Sequence, residues 1–114
     1  MDSETARRAA LDGSVVLIDV RNPDEWLRTG IGEGAHPISM QDPAFLDTLL
    51  ELVDGDRDRP LAIVCAAGGR SAQVARALSA HGFSTVHNVD EGMMGSPAGP
   101  GWLGRGLPTV PWEG

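Results

Sequence analysis

The chain has 114 residues, nine basic and sixteen acidic side chains, a formal net charge of −7 and a single cysteine; 41% of its residues are apolar and 22% charged. That length and composition predict one globular domain over residues 1–114 with one core, and one cysteine excludes an internal disulfide and a Cys₂His₂ or Cys₄ zinc site. All nine basic residues are Arg, which excludes a Schiff-base lysine and a P-loop lysine, and the acidic balance disfavours nucleic acid and anionic membrane as partners.

Ser3 to Leu11 reads as a helix, with Ser3 as its cap, Glu4 in its first turn and Gly13 as its stop. No basic, apolar leader stands before it, and the longest apolar runs, Val15–Ile18 and Leu61–Ala67, are too short to cross a bilayer. The expected setting is therefore the cytoplasm, where a lone thiol stays free. Val15 to Val20 has the continuous apolar, β-branched character of a strand buried on both faces. Asn22-Pro23-Asp24-Glu25 opens a helix: Asn22 is the N-cap, Pro23 sits at N1, and Glu25 at N3 closes a capping box. Trp26 and Leu27 are expected to face the core, and Gly30 ends the helix. Ala35 to Met40 is a short strand.

Asp42-Pro43 caps a further helix, whose Phe45, Leu46, Leu49, Leu50 and Val53 fall on one face. Asp54 to Arg59 is a solvated turn. Leu61 to Cys65 is a second buried strand, followed by the small, flexible Ala66-Ala67-Gly68-Gly69. Arg70 or Ser71 opens the next helix, with Val74, Ala75 and Leu78 on one face and Gly82 as the stop. Thr85 to Val89 is another strand. From about Gly92 the chain is crowded with Gly and Pro, which predicts an extended tail pinned by Trp102 and Leu107. Strands alternating with helices predict an α/β fold, a small three-layer α/β/α sandwich with a mostly parallel sheet of four or five strands. In such a sheet the ligand lies beyond the carboxyl ends of the strands.

Two of those ends carry chemistry: Asp19-Val20-Arg21 and Cys65 to Ser71. The second places a thiol between a buried strand and a helix N-terminus, where unpaired N–H groups and the positive dipole end gather. A loop of small residues can turn its N–H groups inward as an anion nest, with Gly68 and Gly69 free to take positive φ. The thiolate of Cys65 is favoured there, and Arg70 adds a permanent charge and a two-pronged donor. A buried free cysteine is often only a small hydrophobe, but this setting favours a reactive thiol. Cys65 is the candidate nucleophile, and Ala66, Ala67, Gly68, Gly69 and Arg70 are the candidate binding loop for an anionic sulfur or phosphorus compound. Asp19 and Arg21 are expected to hold that loop by ion pairs and hydrogen bonds, the alternative being that they serve the site directly, with Ser71 also in support. His36, His81 and His87 show no ligand spacing, and no metal is expected. Met93 and Met94 either line an acceptor groove or anchor the loop, and Trp102 is a packing anchor.

In order along the chain, these residues resemble the rhodanese-like sulfurtransferase family. Asp19-Val20-Arg21 with Glu25-Trp26 is similar to its D-V-R-x-x-x-E-[FWY] segment. Gly30, Gly34-Ala35 and Ile38 follow, and Cys65-x-x-Gly68-x-Arg70-Ser71 is similar to its active-site loop. Gly92, Trp102 and Gly106-Leu107-Pro108 are similar to its closing residues. The likeness spans roughly residues 14 to 110. It implies a double displacement: Cys65 takes sulfane sulfur from a small anionic donor such as thiosulfate, becomes a persulfide held by the loop, and passes the sulfur to cyanide or a thiol. A protein can take the part of donor or acceptor, and no metal or organic cofactor is implied. The chain departs from the family in lacking a His after Gly30, in lacking a strand before its first helix, and in a longer, Gly/Pro-rich Met93–Gly101 stretch. Two alternatives stand beside this reading. One is a non-catalytic sulfur carrier or interaction module. The other is a Cys-dependent phosphatase or arsenate reductase, whose loops typically place five residues between Cys and Arg where this chain has four.

Overall fold

A computed structural model of the chain describes residues 1–114. In chain order the elements are α1 (Ser3–Leu11), β1 (Val16–Asp19), α2 (Pro23–Thr29), β2 (Ile31–Gly32), β3 (Ala35–Pro37), α3 (Phe45–Leu52), β4 (Leu61–Val64), α4 (Gly69–Ala80), β5 (Val86–Asn88), α5 (Gly101–Gly104) and β6 (Thr109–Val110). Four strands form one parallel sheet in the order β3-β1-β4-β5, and β2 pairs antiparallel with β6 in a separate two-stranded ribbon. No helix is long and apolar enough to cross a membrane.

The pleat of the two central strands divides the core into the expected layers. Ile18 of β1, Leu61 and Ile63 of β4, and Cys65 just beyond it join Leu49, Val53, Val74, Ala75 and Leu78 beneath α3 and α4. Leu17, Ala62 and Val64 face the other way, toward Ala6, Val89, Met93 and Trp102 beneath α1 and α5. The central strands are apolar throughout because helices cover both faces.

Local chemistry corrects several expectations. Asp2, not Ser3, caps α1: its carboxylate accepts from the Thr5 N–H at 2.8 Å, while Ser3 is fully buried. The α2 capping box forms as expected, with the Asn22 N–H donating to Glu25 at 3.3 Å. Trp26 is buried, but Leu27 is 63% exposed. The chain between β3 and α3 keeps strand-like bonds, from the Ile38 N–H to Asp19 and from the Met40 N–H to Val20. α4 begins at Gly69, one residue earlier than expected, because Gly68 adopts a left-handed cap at φ 95°.

The tail is more ordered than its composition suggests. Trp102 is fully buried on α5 and donates its indole N–H to the Pro108 carbonyl at 2.9 Å. A Cβ at Gly32 would come within 2.7 Å of the Trp102 ring, so β2 passes close over the indole because residue 32 is glycine. β6 then pairs with β2, Ile31 opposite Val110 and Gly32 opposite Thr109, and Trp112 packs edge-on against Trp26 at 5.1 Å between ring centroids. Glu91 ties this tail to α1. It is fully buried, accepts from Arg105 Nε and Nη2 at 2.6 and 3.0 Å, and accepts from the Ser3 N–H at 3.1 Å.

The Arg105 hydrogen bonds hold the Glu91 carboxyl below the usual carboxylate range, against the opposing effect of burial, and the Ser3 bond adds to them. A carboxylate with a depressed folded pKa stabilises the fold above its unfolded pKa of about 4.3, and that stability disappears as pH falls through the folded value. Glu91→Gln is expected to lower Tm at neutral pH by roughly 5 °C or more and to flatten the acid side of the stability profile, read by thermal melts from pH 7 down to pH 3.

Candidate active site

Cys65 is the first residue after β4, and its side chain is 1% exposed. The following loop is fixed from the opposite side by residues 90–94. The Met93 N–H donates to the Cys65 carbonyl and the Met94 N–H to the Ala66 carbonyl, both at 2.8 Å. Two glycines allow this approach. Gly92, at φ 70°, lies so close that a Cβ would fall 2.3 Å from the Ala66 carbonyl oxygen; a Cβ on Gly68, at φ 95°, would fall 2.3 Å from that of Asp90. With its carbonyls engaged behind it, the loop keeps donors to spare: the N–H groups of Ala66, Gly69 and Arg70 have no partner within the chain. Ala67 and Gly69 are exposed.

The sulfur itself accepts from the Gly68 N–H at 3.1 Å and lies 3.2 Å from Ser71 Oγ. Burial pushes the Cys65 thiol up, but the Ser71 hydroxyl and the N–H groups of Ser71, Ala67 and Gly68 outweigh it and hold the thiol below its ordinary value. The loop's N–H groups and the Ser71 hydroxyl therefore favour the charged form of the sulfur. Ser71 Oγ also lies 2.6 Å from Asn88 Oδ1, and Asn88 Nδ2 donates to the Gly68 carbonyl at 3.2 Å.

Arg70 reaches across the loop to α2. Its Nη1 and Nη2 donate to Glu25 Oε1 and Oε2 at 2.7 and 2.9 Å. The Arg70 bonds hold the Glu25 carboxyl low, against the effect of burial. Asp19 and Arg21 are both fully buried and bind each other through Nε and Nη2 at 3.0–3.2 Å. Arg21 then bonds Thr29 Oγ1 and the Gly30 carbonyl. This pair makes no hydrogen bond to residues 65–71. It fixes the end of α2, the helix that carries Glu25. Met93 is fully buried while Met94 is 59% exposed, so the first is an anchor and the second is free to line a surface. Met94, Arg21, Glu25, Arg28 and Thr29 line a recess of about 290 Å³.

Two site residues were not assigned to the site from sequence. In the sequence Glu25 is a capping residue and part of the family-like segment, and only the fold shows that the same carboxylate holds Arg70. Asn88 carried no signal except its position near the end of a strand beside β4, where it pairs with Ile63. His36, His81 and His87 converge with no acidic or thiol group, and no set of three or more His, Cys, Asp or Glu side chains is placed to hold a metal ion.

Comparison with known proteins gives a consistent family. The model of the rhodanese-like domain matches residues 3–96. A sulfurtransferase from Allochromatium vinosum is 32% identical over 115 residues, covering 100% of this chain and 96% of its own length. The thiosulfate sulfurtransferase GlpE from Pseudomonas syringae pv. syringae is 33% identical over 85 residues, covering 75% of this chain and 74% of that protein. Among solved structures, a polysulfide-sulfur transferase homodimer from Wolinella succinogenes superposes with a TM-score of 0.73 at 27% identity, over 99% of this chain and 78% of that one.

Two outcomes follow from this geometry. The Cys65 thiol is expected to titrate below the free-cysteine value of about 8.5, read from ultraviolet thiolate absorbance, which a chain with one Cys and no Tyr gives without interference. Gly92→Ala, which sets a Cβ against the Ala66 carbonyl in a left-handed conformation, is expected to cost about 2 kcal/mol or more, measured by chemical denaturation.

Proposed function

The chain belongs to the rhodanese-like domain family, and from that premise we propose that it is a sulfurtransferase working through a persulfide on Cys65. The observation that carries the reading is the sulfur's position: Cys65 Sγ accepts from the Gly68 N–H at the head of a loop whose Ala66, Gly69 and Arg70 N–H groups remain unpartnered. A thiolate favoured by those bonds is the nucleophile, and the unused donors suit the charge that arrives with a donor and stays on the outer sulfur.

The chemistry balances without a further redox partner. The Cys65 thiolate attacks the sulfane sulfur of thiosulfate. A new S–S bond forms at Cys65, and the donor's S–S bond breaks with its electron pair leaving on sulfite. An acceptor nucleophile, cyanide or a thiolate, then attacks the outer sulfur. It leaves as thiocyanate or a new persulfide, and the bond pair returns to Cys65. A polysulfide, suggested by the name of the Wolinella polysulfide-sulfur transferase, fits the same first step and is a second donor to try. The proposed setting is the cytoplasm, with small anionic donors and either small or protein-borne acceptors.

Arg70 has a double part in this reading. Its main-chain N–H has no partner within the chain, while Glu25 takes one donor from each guanidinium Nη at the rim; the remaining N–H groups of that partly exposed guanidinium are available to a donor's oxyanion.

Incubation with thiosulfate is expected to add one sulfur to the wild-type chain, seen by intact mass, and none to Cys65→Ser; cyanide then releases thiocyanate with turnover. A sulfur adduct that no acceptor removes would make the chain a carrier, and aryl phosphate hydrolysis with no adduct would point to the phosphatase alternative. Arg70→Ala is expected to reduce kcat/KM for thiosulfate about tenfold with a smaller effect on stability, because the Glu25 pair is partly solvated. Equal loss of activity and Tm would make Arg70 structural alone.

A further inference from the structure

The Ser71 hydroxyl is asked to serve two partners. It lies 3.2 Å from Cys65 Sγ and 2.6 Å from Asn88 Oδ1, and a serine hydroxyl has one proton to donate. The orientation of Asn88 follows from its other contact. Its amide faces the Gly68 carbonyl at 3.2 Å, an acceptor, so the atom there is Nδ2 and the atom facing Ser71 is the acceptor Oδ1. Ser71 is fully buried, so water does not supply a spare donor.

We propose that Asn88 is a positioning residue that competes with Cys65 for the single hydroxyl proton of Ser71. With Cys65 as a thiol, every group is satisfied in one direction: S–H to Ser71 Oγ, O–H to Asn88 Oδ1, N–H to the Gly68 carbonyl. With Cys65 as a thiolate, the sulfur only accepts. It gains when the Ser71 hydroxyl turns to it, and Asn88 Oδ1 is then left facing an oxygen lone pair at 2.6 Å, an arrangement that costs energy. Asn88 therefore opposes the thiolate through Ser71, while through Nδ2 it steadies the carbonyl of Gly68, whose N–H favours the thiolate. The charge of Arg70 favours the Cys65 thiolate directly, but Arg70 makes no hydrogen bond to Ser71 or Asn88 and so does not enter their competition. Arg70 is bound by Glu25, Asp19 by Arg21 and Glu91 by Arg105, while the Met1 amino group lies on the Asn88 main-chain carbonyl; His87 and Asp90 are exposed.

The consequence for turnover rests on the sulfur-transfer reading. There, Cys65 Sγ gives up its charge when it bonds the incoming sulfur and recovers it when the sulfur leaves. The Ser71 hydroxyl turns to Asn88 in the loaded chain and to Cys65 in the empty one, without any proton leaving Ser71.

The test reads the thiol itself, by thiolate absorbance against pH and by the pH dependence of alkylation. Asn88→Ala is expected to lower the Cys65 titration midpoint, so that at a pH below it the thiolate fraction rises about threefold. Ser71→Ala is expected to raise the midpoint, and in that background Asn88→Ala has no effect, because no hydroxyl remains to compete for. Asn88→Leu, which keeps the volume, replaces the alanine variant if that one fails to fold. A midpoint that rises or stays unchanged in Asn88→Ala, or shifts equally with and without the Ser71 hydroxyl, would overturn the proposal and leave Asn88 a brace for Gly68 only. Sulfur loading of the wild type is measured in parallel. Its absence alongside the expected titration shifts would sink the sulfur-transfer reading and leave the Ser71 competition standing.

Discussion

The site depends on two stretches of backbone that approach too closely for side chains. Gly92 lies under the Ala66 carbonyl and Gly68 lies against the carbonyl of Asp90, while the N–H groups of Met93 and Met94 take the carbonyls of Cys65 and Ala66. The loop is thereby gripped through its acceptors, and its donors are left over. An anion nest is often described by the residues that form it; here its polarity is created from behind, by the main chain of residues 92–94. Trp102, whose N–H donates to the Gly92 carbonyl, carries that segment on the buried face of the sheet. The Gly/Pro-rich end of the chain is thus part of the scaffold of the Cys65 loop.

A second constraint is electrostatic. The chain carries nine arginines and no lysine, and three of the arginines are bound in pairs by carboxylates buried or nearly so: Arg21 on Asp19, Arg70 on Glu25 and Arg105 on Glu91. The planar fork suits these positions, since it meets two oxygens at once and fixes the direction of both partners. Two of the pairs are linked in space. Asp19 and Arg21 hold the end of α2 through Thr29 and Gly30, α2 carries Glu25, and Glu25 holds Arg70 at the mouth of the loop. By contrast, the Arg28–Asp24 pair is more than 70% exposed on both sides and contributes little.

The layers, the parallel sheet and the loop after β4 were legible because each rests on a local signal: β-branched runs for β1 and β4, a capping box for α2, and glycines beside a strand-end cysteine. What was not legible depends on contacts between distant segments. Nothing local distinguishes Leu27 from Trp26 as the exposed residue; the buried indole packs against Trp112, far along the chain. Composition makes 92–114 read as an extended tail, yet Gly32 and Trp102 fit each other and let β6 pair with β2. Asp19 and Arg21 were visible as charges at a strand end, but their bonds run to α2 instead of to residues 65–71. Glu25 was legible as a cap and not as the partner of Arg70, since one carboxylate serves both and only the cap lies within reach in sequence.

The single cysteine takes on a sharper meaning in this setting. These 114 residues contain no second thiol to resolve a persulfide on Cys65 as a disulfide, so on the sulfur-transfer reading the sulfur leaves only to a nucleophile brought from outside. The thiol is almost fully enclosed, and Ala67 and Gly69 are the exposed residues of its loop, so on the sulfur-transfer reading an acceptor meets the outer sulfur there. Beside that approach stand Met94 and the recess it shares with Arg28 and Thr29. Met93 and Met94 therefore divide two tasks between adjacent positions. The buried residue fixes the backbone that grips the loop, and the exposed one presents a flexible thioether to whatever arrives. On the sulfur-transfer reading, the rigidity that holds the nucleophile and the adaptability that admits its acceptor meet at one peptide bond.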